Sequence, residues 1–241
     1  MTKALVVATA VTAALALAMI VGYAPNERVQ GVVQRIFYFH VPMAWVAYLA
    51  FSVVLVASIA YLWKRDSRWD AVARASVEIG VLFTTLVLVT GSLWGKPIWN
   101  TWWTWDGRLT STLVLWFIYV GYLMLRAYTP DPERAARLSA VLGIVGFLDI
   151  PIIHFSVQWW RTLHPEPVIA RSDPQAPPEM ILTLVVSLVA MTLLYTTLLV
   201  YRTALERIRD ENRELLQGEV NELSTQAGRA PVSTTVGNPN A

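Results

Sequence analysis

The sequence predicts an all-α integral membrane protein with six transmembrane helices. Of its 241 residues, 55% are hydrophobic and only 15% are charged, whereas soluble domains carry about 25% charged residues. The charges are bunched between long uncharged stretches. A spanning helix needs about 20 predominantly apolar residues to cross about 30 Å of hydrocarbon. The stretches that meet this requirement are 4–23, 42–63, 76–94, 110–126, 138–156 and 180–201.

Helices are favoured over strands because lipid offers no hydrogen bonds to the backbone, so each spanning segment must pair its own polar groups. A membrane β-barrel would show alternating polar and apolar residues, and residues 181–186 do not alternate. The first apolar run, Leu5 to Val21, follows Lys3 as a signal peptide would. Because Pro25 directly follows the small residues near its end, we expect a retained first helix.

The distribution of cations predicts the orientation. Lysine and arginine are enriched on the cytoplasmic side of membrane proteins, and the six spans place 13 of the 19 on one side and 6 on the other. Both termini are therefore expected in the cytoplasm. The segments 24–41, 95–109 and 157–179 are expected outside. The net charge of +2 gives no indication of a nucleic-acid partner, and we expect none.

The chain divides into a membrane domain, residues 1–202, and a polar C-terminal region. Residues 203–226 predict an amphipathic cytoplasmic helix, which either extends the last span or docks a cytoplasmic partner. Residues 227–241 have the composition of a disordered tail. Asp149 interrupts the fifth apolar run, where a carboxylate is costly. Either a functional role or a local role beside Pro151 accounts for it.

The most unusual segment is residues 94–110, which holds five of the eleven tryptophans within twelve positions. An ordinary aromatic belt places one or two rings at a helix end, so this density favours a flat surface for a planar aromatic ligand. Asp106 either caps the next helix or holds Arg108 in place. Arg108 is suited to pairing with a ligand carboxylate.

The chain has no cysteine and therefore no disulfide, no thiolate metal site and no covalent haem attachment. All three histidines, His40, His154 and His164, are predicted near the outer face. A lone histidine is usually structural. Three on one side beside the tryptophans favour axial ligation of haem iron, for which imidazole is well suited.

Three motifs in this order carry a family resemblance: Phe39-His40-Val41-Pro42, the run Trp94–Asp106 followed by Gly-Arg-Leu-Thr, and Pro151-Ile-Ile-His-Phe-Ser-Val to His164. Over residues 1–202 the chain resembles the WWD-domain family of haem-handling proteins (CcmC, CcmF and CcsA) of cytochrome c maturation, and its haem exporter/delivery branch most closely. The extended C-terminal region departs from that pattern.

The resemblance implies that His40 and His164 are the axial ligands of a transient, non-covalently bound b-type haem, with His154 in reserve. It implies a platform that comprises Trp94, Trp99, Trp102, Trp103, Trp105 and Asp106. We add Arg108, Arg35 and Arg161 as propionate contacts. The implied partners are the haem chaperone CcmE, the CcmA/CcmB ATP-driven transporter and CcmD. The resemblance implies a multi-pass protein of the bacterial inner membrane with its haem site on the outer, periplasmic face. No enzymatic turnover is expected.

Two other classes compete with haem delivery. A b-type electron carrier usually places four histidines within its helices to hold two haems, and this chain has three in all. A membrane scaffold or transporter subunit without a cofactor would use the tryptophans only as an interfacial anchor. The absorbance spectrum of the purified protein separates both from a haem carrier.

Overall fold

The computed structural model describes residues 2–160, 163–164 and 176–229. Seven α-helices and one 3₁₀ helix make up this part of the chain. The α-helices are α1 (Thr2–Gly22), α2 (Phe37–Lys64), α3 (Ser67–Trp99), α4 (Gly107–Tyr128), α5 (Pro132–Phe147), α6 (Asp149–Trp159) and α7 (Pro178–Arg229). The 3₁₀ helix, Val32–Ile36, leads directly into α2.

The predicted fold class is confirmed. Six segments are long and apolar enough to cross a membrane, with α5 and α6 counted together as one. They are Thr2–Gly22, Val32–Lys64, Ser67–Trp99, Gly107–Tyr128, Pro132–Trp159 and Pro178–Arg213. The orientation of the termini stays a prediction. We call the two ends of the bundle the tryptophan end, which holds residues 94–106, and the ion-pair end, which holds Asp70 and Arg126.

Helices α2 and α3 form the central antiparallel pair, and small residues of α3 allow their close approach. The Ser76 hydroxyl donates to the Ala50 carbonyl at 2.8 Å. A Cβ added at Gly80 would lie 2.6 Å from Cε1 of Phe51, so any larger residue there would have to displace the Phe51 ring. Small residues at such spacing bring helices together in membranes, where van der Waals contact replaces the hydrophobic effect as the driving force.

The fifth predicted helix, 138–156, is two helices in the structure. Helix α5 ends at Phe147 and α6 begins at Asp149, with Leu148 between them. Pro151 has no N–H to donate to the Phe147 carbonyl, so the ladder of hydrogen bonds is interrupted at this point. Asp149 lies in the first turn of α6, and its Oδ2 atom is buried without a hydrogen-bond partner among the described residues.

The last span and the predicted amphipathic helix 203–226 form one continuous helix, α7, with 52 residues. The expected disordered tail, 227–241, lies mostly outside the described residues, and its residues 227–229 continue α7. Arg202 forms an ion pair with Glu78 of α3, and its Nη2 atom lies 2.9 Å from Glu206. The part of α7 beyond the span is therefore fixed to the bundle where it begins.

Arg74 is the centre of the ion-pair end. Its guanidinium lies 3.4 Å from the Asp70 carboxylate and 3.1 Å from Glu206, and it also contacts Asp210. Arg126 of α4 donates two hydrogen bonds to Asp70, at 2.6 and 2.7 Å. Charged groups buried in this way are stable only when they are paired, and the pairs join α3, α4 and α7.

We expect Arg74→Ala to lower the stability of the bundle. The side chain is only 11% exposed, and removal of one partner from a buried ion pair typically costs about 3–5 kcal/mol because the other charges stay buried. Thermal unfolding of the purified protein in detergent measures the loss.

Arg137→Ala is the matched control, because this arginine is 46% exposed and lies 3.8 Å from Glu133. Exposed pairs contribute about 0–1 kcal/mol. Equal melting temperatures for the two variants would show that the Arg74 ion pairs do not stabilise the fold.

Candidate functional site

A cavity of about 830 Å³ opens at the tryptophan end and extends between α2, α3, α4 and α7. All three histidines and Arg108 line it, and apolar side chains form most of the remaining wall. The tryptophans in the lining are Trp45, Trp94, Trp99 and Trp103. The structure therefore brings His40, His154 and His164 to one cavity, although they are far apart in the sequence.

His40 lies inside α2, because this helix begins at Phe37, five residues before the predicted start. Pro42 does not delay the start, since proline is tolerated in membrane helices. The imidazole is 8% exposed. Its Nδ1 atom lies 2.9 Å from Oγ1 of Thr90, which donates its own hydrogen to the Leu86 carbonyl at 2.7 Å. When the Thr90 hydrogen is engaged in this way, Nδ1 of His40 donates to Oγ1 and Nε2 keeps its lone pair.

Two further residues fix the position of the His40 ring. A Cβ added at Gly91 would lie 3.1 Å from Cε1 of His40, so the ring packs directly on the α3 backbone. The Trp94 ring meets His40 edge-on, with 5.7 Å between ring centroids. Trp94 in turn donates from Nε1 to Oε1 of Gln30 at 3.0 Å. The first candidate ligand is thus held rigidly on three sides.

The loop that supplies Gln30 has its own local order. The carboxylate of Glu27 accepts hydrogen bonds from the backbone N–H groups of Val29, at 2.8 Å, and Gln30, at 2.5 Å. These bonds, that of Gln30 first, lower the pKa of Glu27 because they stabilise the charged carboxylate. Gly31 then adopts a positive φ of 58°, which suits glycine. The turn places Gln30 against Trp94.

Arg108 holds the second histidine. Its Nη1 atom donates to Nδ1 of His164 at 3.1 Å, and Nη2 lies 3.5 Å from the His154 carbonyl. Its Nε atom is buried without a hydrogen-bond partner among the described residues. The guanidinium thus connects α4 to His154 and to His164, and its Nε donor remains unsatisfied.

Asp106 caps α4, which confirms the first of its two predicted roles. Oδ1 accepts from the backbone N–H groups of Arg108, at 2.9 Å, and Leu109, at 3.0 Å. Oδ2 accepts from the Thr104 hydroxyl at 2.7 Å. The carboxylate is therefore engaged with the helix start, which leaves the Arg108 side chain to the histidines.

The tryptophan segment does not form the single flat surface that the sequence predicts. Trp94 and Trp99 belong to α3, which extends to Trp99, and together with Trp103 they line the cavity. Trp102 and Trp105 are 56% and 77% exposed and lie, with Trp103, on a separate groove of about 500 Å³ between α3 and α4. The groove wall is otherwise almost entirely apolar, and Trp103 is the one tryptophan found in both linings.

The other predicted contacts lie elsewhere. Arg35 donates to the Val21 carbonyl at 3.1 Å and is not part of the cavity lining described above. Arg161 lies outside the described residues. Among the residues that sequence reasoning missed, Thr90 has a detectable signal, because it lies four positions before Trp94 and so on the same helix face. Trp45 also lines the cavity and donates to the Thr192 hydroxyl at 3.1 Å.

Comparison with known proteins gives a consistent result. The family described as CcmC, Heme exporter protein C, matches residues 1–217. Heme exporter protein C of Bradyrhizobium diazoefficiens is 40% identical over 208 residues, which cover 85% of this chain and 79% of that protein. Its namesake in Escherichia coli strain K12 is 47% identical over 144 residues, 59% of this chain and 58% of the relative.

A ccmC-like mitochondrial protein of Marchantia polymorpha, named for cytochrome c biosynthesis, is 40% identical over 151 residues, 63% of this chain and 64% of its own length. The family match covers all six spans and every histidine of the cavity. The chain therefore belongs to the heme exporter protein C family.

Proposed function

We propose that this chain binds b-type haem non-covalently at the tryptophan end, through His40 and His164, and delivers it to the haem chaperone CcmE for c-type cytochrome maturation. The observation that carries the proposal is the convergence of three histidines and Arg108 on one largely apolar cavity. His40 and His164 are the proposed ligands, and His154 is the reserve.

The chemistry of the lining fits a porphyrin with carboxylates. The free lone pair of His40 Nε2 can bind iron, and the aromatic walls can pack against the macrocycle. Two buried donors in the lining, Nε of Arg108 and Nε1 of Trp103, lack a hydrogen-bond partner among the described residues. Buried donors without a partner are costly. A ligand that brings acceptor oxygens would satisfy them, and the propionates of haem are such acceptors.

Delivery requires that the cavity face the recipient. The excess of cations at the other side of the predicted spans supports an external tryptophan end, which for a bacterial inner membrane is the periplasmic side. CcmA/CcmB, CcmD and CcmE are proposed partners because the family resemblance implies them. The role we propose is to bind and transfer haem, without turnover chemistry.

Single histidine variants test the ligand assignment. We expect His40→Ala and His164→Ala each to lose the low-spin spectrum of bis-histidine haem, because each removes one axial ligand. We expect His154→Ala to keep it. The measurement is absorbance of the detergent-purified protein from haem-replete cells, oxidised and reduced.

If His154→Ala alone lost the low-spin spectrum, the proposed pair of ligands would be wrong. A wild-type protein without any Soret band would instead favour the scaffold class.

Gly91→Ala tests whether the packing of His40 matters for binding. The new methyl group would lie 3.1 Å from Cε1 of His40 and must displace the ring. We therefore expect the variant to bind haem about ten-fold more weakly. Its circular dichroism spectrum should match that of the wild type, because the helices stay intact.

Gly121→Ala is the control, because α4 has open space at this position within 4 Å. If the two variants bound haem equally well, the His40 position would not depend on Gly91.

Trp103→Leu and Trp105→Leu separate the cavity from the groove. Trp103 lines the cavity, and an aromatic pair contributes about 0.5–1.5 kcal/mol beyond area burial. We therefore expect Trp103→Leu to weaken haem binding about three- to ten-fold, as measured by titration. Trp105 does not line the cavity, and its replacement should leave the affinity unchanged. The reverse order of effects would contradict the assignment of Trp103 to the cavity and of Trp105 to the groove alone.

A further inference from the structure

The cavity wall includes two side chains that are unusually exposed for its membrane-spanning part. Trp45 of α2 and Val189 of α7 both line the cavity, and each is 48% exposed. Other lining residues of the same helices are buried, with Ala47 at 4% and Leu184 at 2% exposed. All four lie within spans, where an exposed side chain faces either lipid or a cavity.

The helix faces show that Trp45 and Val189 face lipid as well as the cavity. Each of them shares a helix face with exposed apolar residues that do not line the cavity. These are Val56, Ile59 and Trp63 on α2 and Leu182, Val185 and Val200 on α7. Their separations from Trp45 or Val189 are 4, 7, 11, 14 or 18 positions, spacings that return to the same side of a helix. The cavity therefore reaches the lipid-facing side of the bundle where α2 and α7 meet.

One hydrogen bond bridges the two helices at this point. Nε1 of Trp45 donates to Oγ1 of Thr192 at 3.1 Å, and the Thr192 hydroxyl donates in turn to the Leu188 carbonyl at 2.7 Å. Val189 precedes Thr192 by three positions and so lies on the adjoining turn of α7. We call Trp45, Val189 and Thr192 the seam. The Trp45 indole crosses it from α2 to α7.

Helix α7 is fixed to the bundle on both sides of the seam. Towards the tryptophan end, Leu184 is buried in one cluster with Tyr38 of α2. Towards the ion-pair end, the Tyr195 hydroxyl lies 2.8 Å from Oγ of Ser76 in α3. The stretch from Leu184 to Tyr195 covers about 16 Å at 1.5 Å per residue. The seam can therefore open by breaking the Trp45 bond while both fixed points stay in place.

We propose that the seam is a lateral portal through which haem dissolved in the bilayer enters the cavity, with Trp45 as its gate. This inference rests on the proposed function and adds the source of the ligand. Haem is amphipathic, because an apolar macrocycle carries two carboxylates, and such molecules collect in the outer part of a bilayer. Trp45 lies five residues after His40, or about 7.5 Å further along α2. A macrocycle that passes the seam thus arrives close to the proposed iron ligand.

The rate of haem uptake tests the portal, because a gate controls passage. Ferric haem b is mixed with the full chain in lipid vesicles, and the growth of the low-spin spectrum gives the rate. We expect Thr192→Val to take up haem about three-fold faster, since it removes the acceptor of the Trp45 bond and hydrogen bonds between membrane helices typically contribute this much. Release to excess apomyoglobin should accelerate by a similar factor.

Thr196→Val is the matched control for this variant. Thr196 lies one turn further along α7, donates to the Thr192 carbonyl at 2.8 Å and does not line the cavity. Its replacement leaves the Trp45 bond intact, so we expect the wild-type rates. Equal rates for Thr192→Val and Thr196→Val would overturn the portal.

A bulky label on the lipid side of the seam should have the opposite effect. The chain has no cysteine, so Val189→Cys can be labelled selectively with pyrene maleimide, an apolar reagent that reaches it from the bilayer. We expect uptake to slow several-fold with the final occupancy unchanged. Val200→Cys, on the same face of α7 and 40% exposed, carries the same label away from the cavity and should keep the wild-type rate. Equal uptake by the two labelled proteins would show that haem enters from water at the open mouth.

The outcomes separate the two proposals. A low-spin spectrum that requires His40 and His164 but forms at the same rate in every seam variant would overturn the portal and leave the proposed function intact. A wild-type spectrum that neither His40→Ala nor His164→Ala changes would overturn the proposed function itself. The labelling arm uses exposed positions, so it decides the matter even if Thr192→Val alters the fold.

Discussion

Close packing of α2 against α3 is the constraint on which the rest of the structure depends. Ser76, Gly80 and Gly91 lie along one side of α3 and contact Ala50, Phe51 and His40 of α2. Because these residues are small, the helices approach closely over their whole shared length. The same contact that builds the bundle at Gly80 positions a candidate metal ligand at Gly91. Fold and site are therefore specified by a single interface.

Much of this organisation could be predicted because lipid imposes simple rules on sequence. Six apolar runs gave six spans, and the Asp106 cap follows from a short acidic side chain directly before a helix. The helix ends were less predictable. Pro42 and Pro97 lie inside α2 and α3, where rules drawn from soluble proteins would end a helix. Neighbouring helices can compensate for proline in membranes, and a single sequence does not reveal those neighbours.

The arrangement of the site could be predicted in kind but not in detail. The sequence indicated that histidines, tryptophans and Arg108 share one end of the bundle. It did not indicate that Trp102 and Trp105 line the groove alone, whereas Trp103 lines both the groove and the cavity. The directions of side chains in a short connection are set by tertiary contacts, not by spacing. The bond between Arg108 and His164 was hidden for the same reason, since 56 residues separate them.

The position of Trp103 has a consequence for how a loaded protein could be told from an empty one. One indole ring forms part of the walls of both the cavity and the groove, so the two spaces share this side chain. Any shift of this ring when the cavity fills would change the shape of the groove at the same time. A partner that contacts the groove could thus distinguish a filled cavity from an empty one without touching the bound ligand.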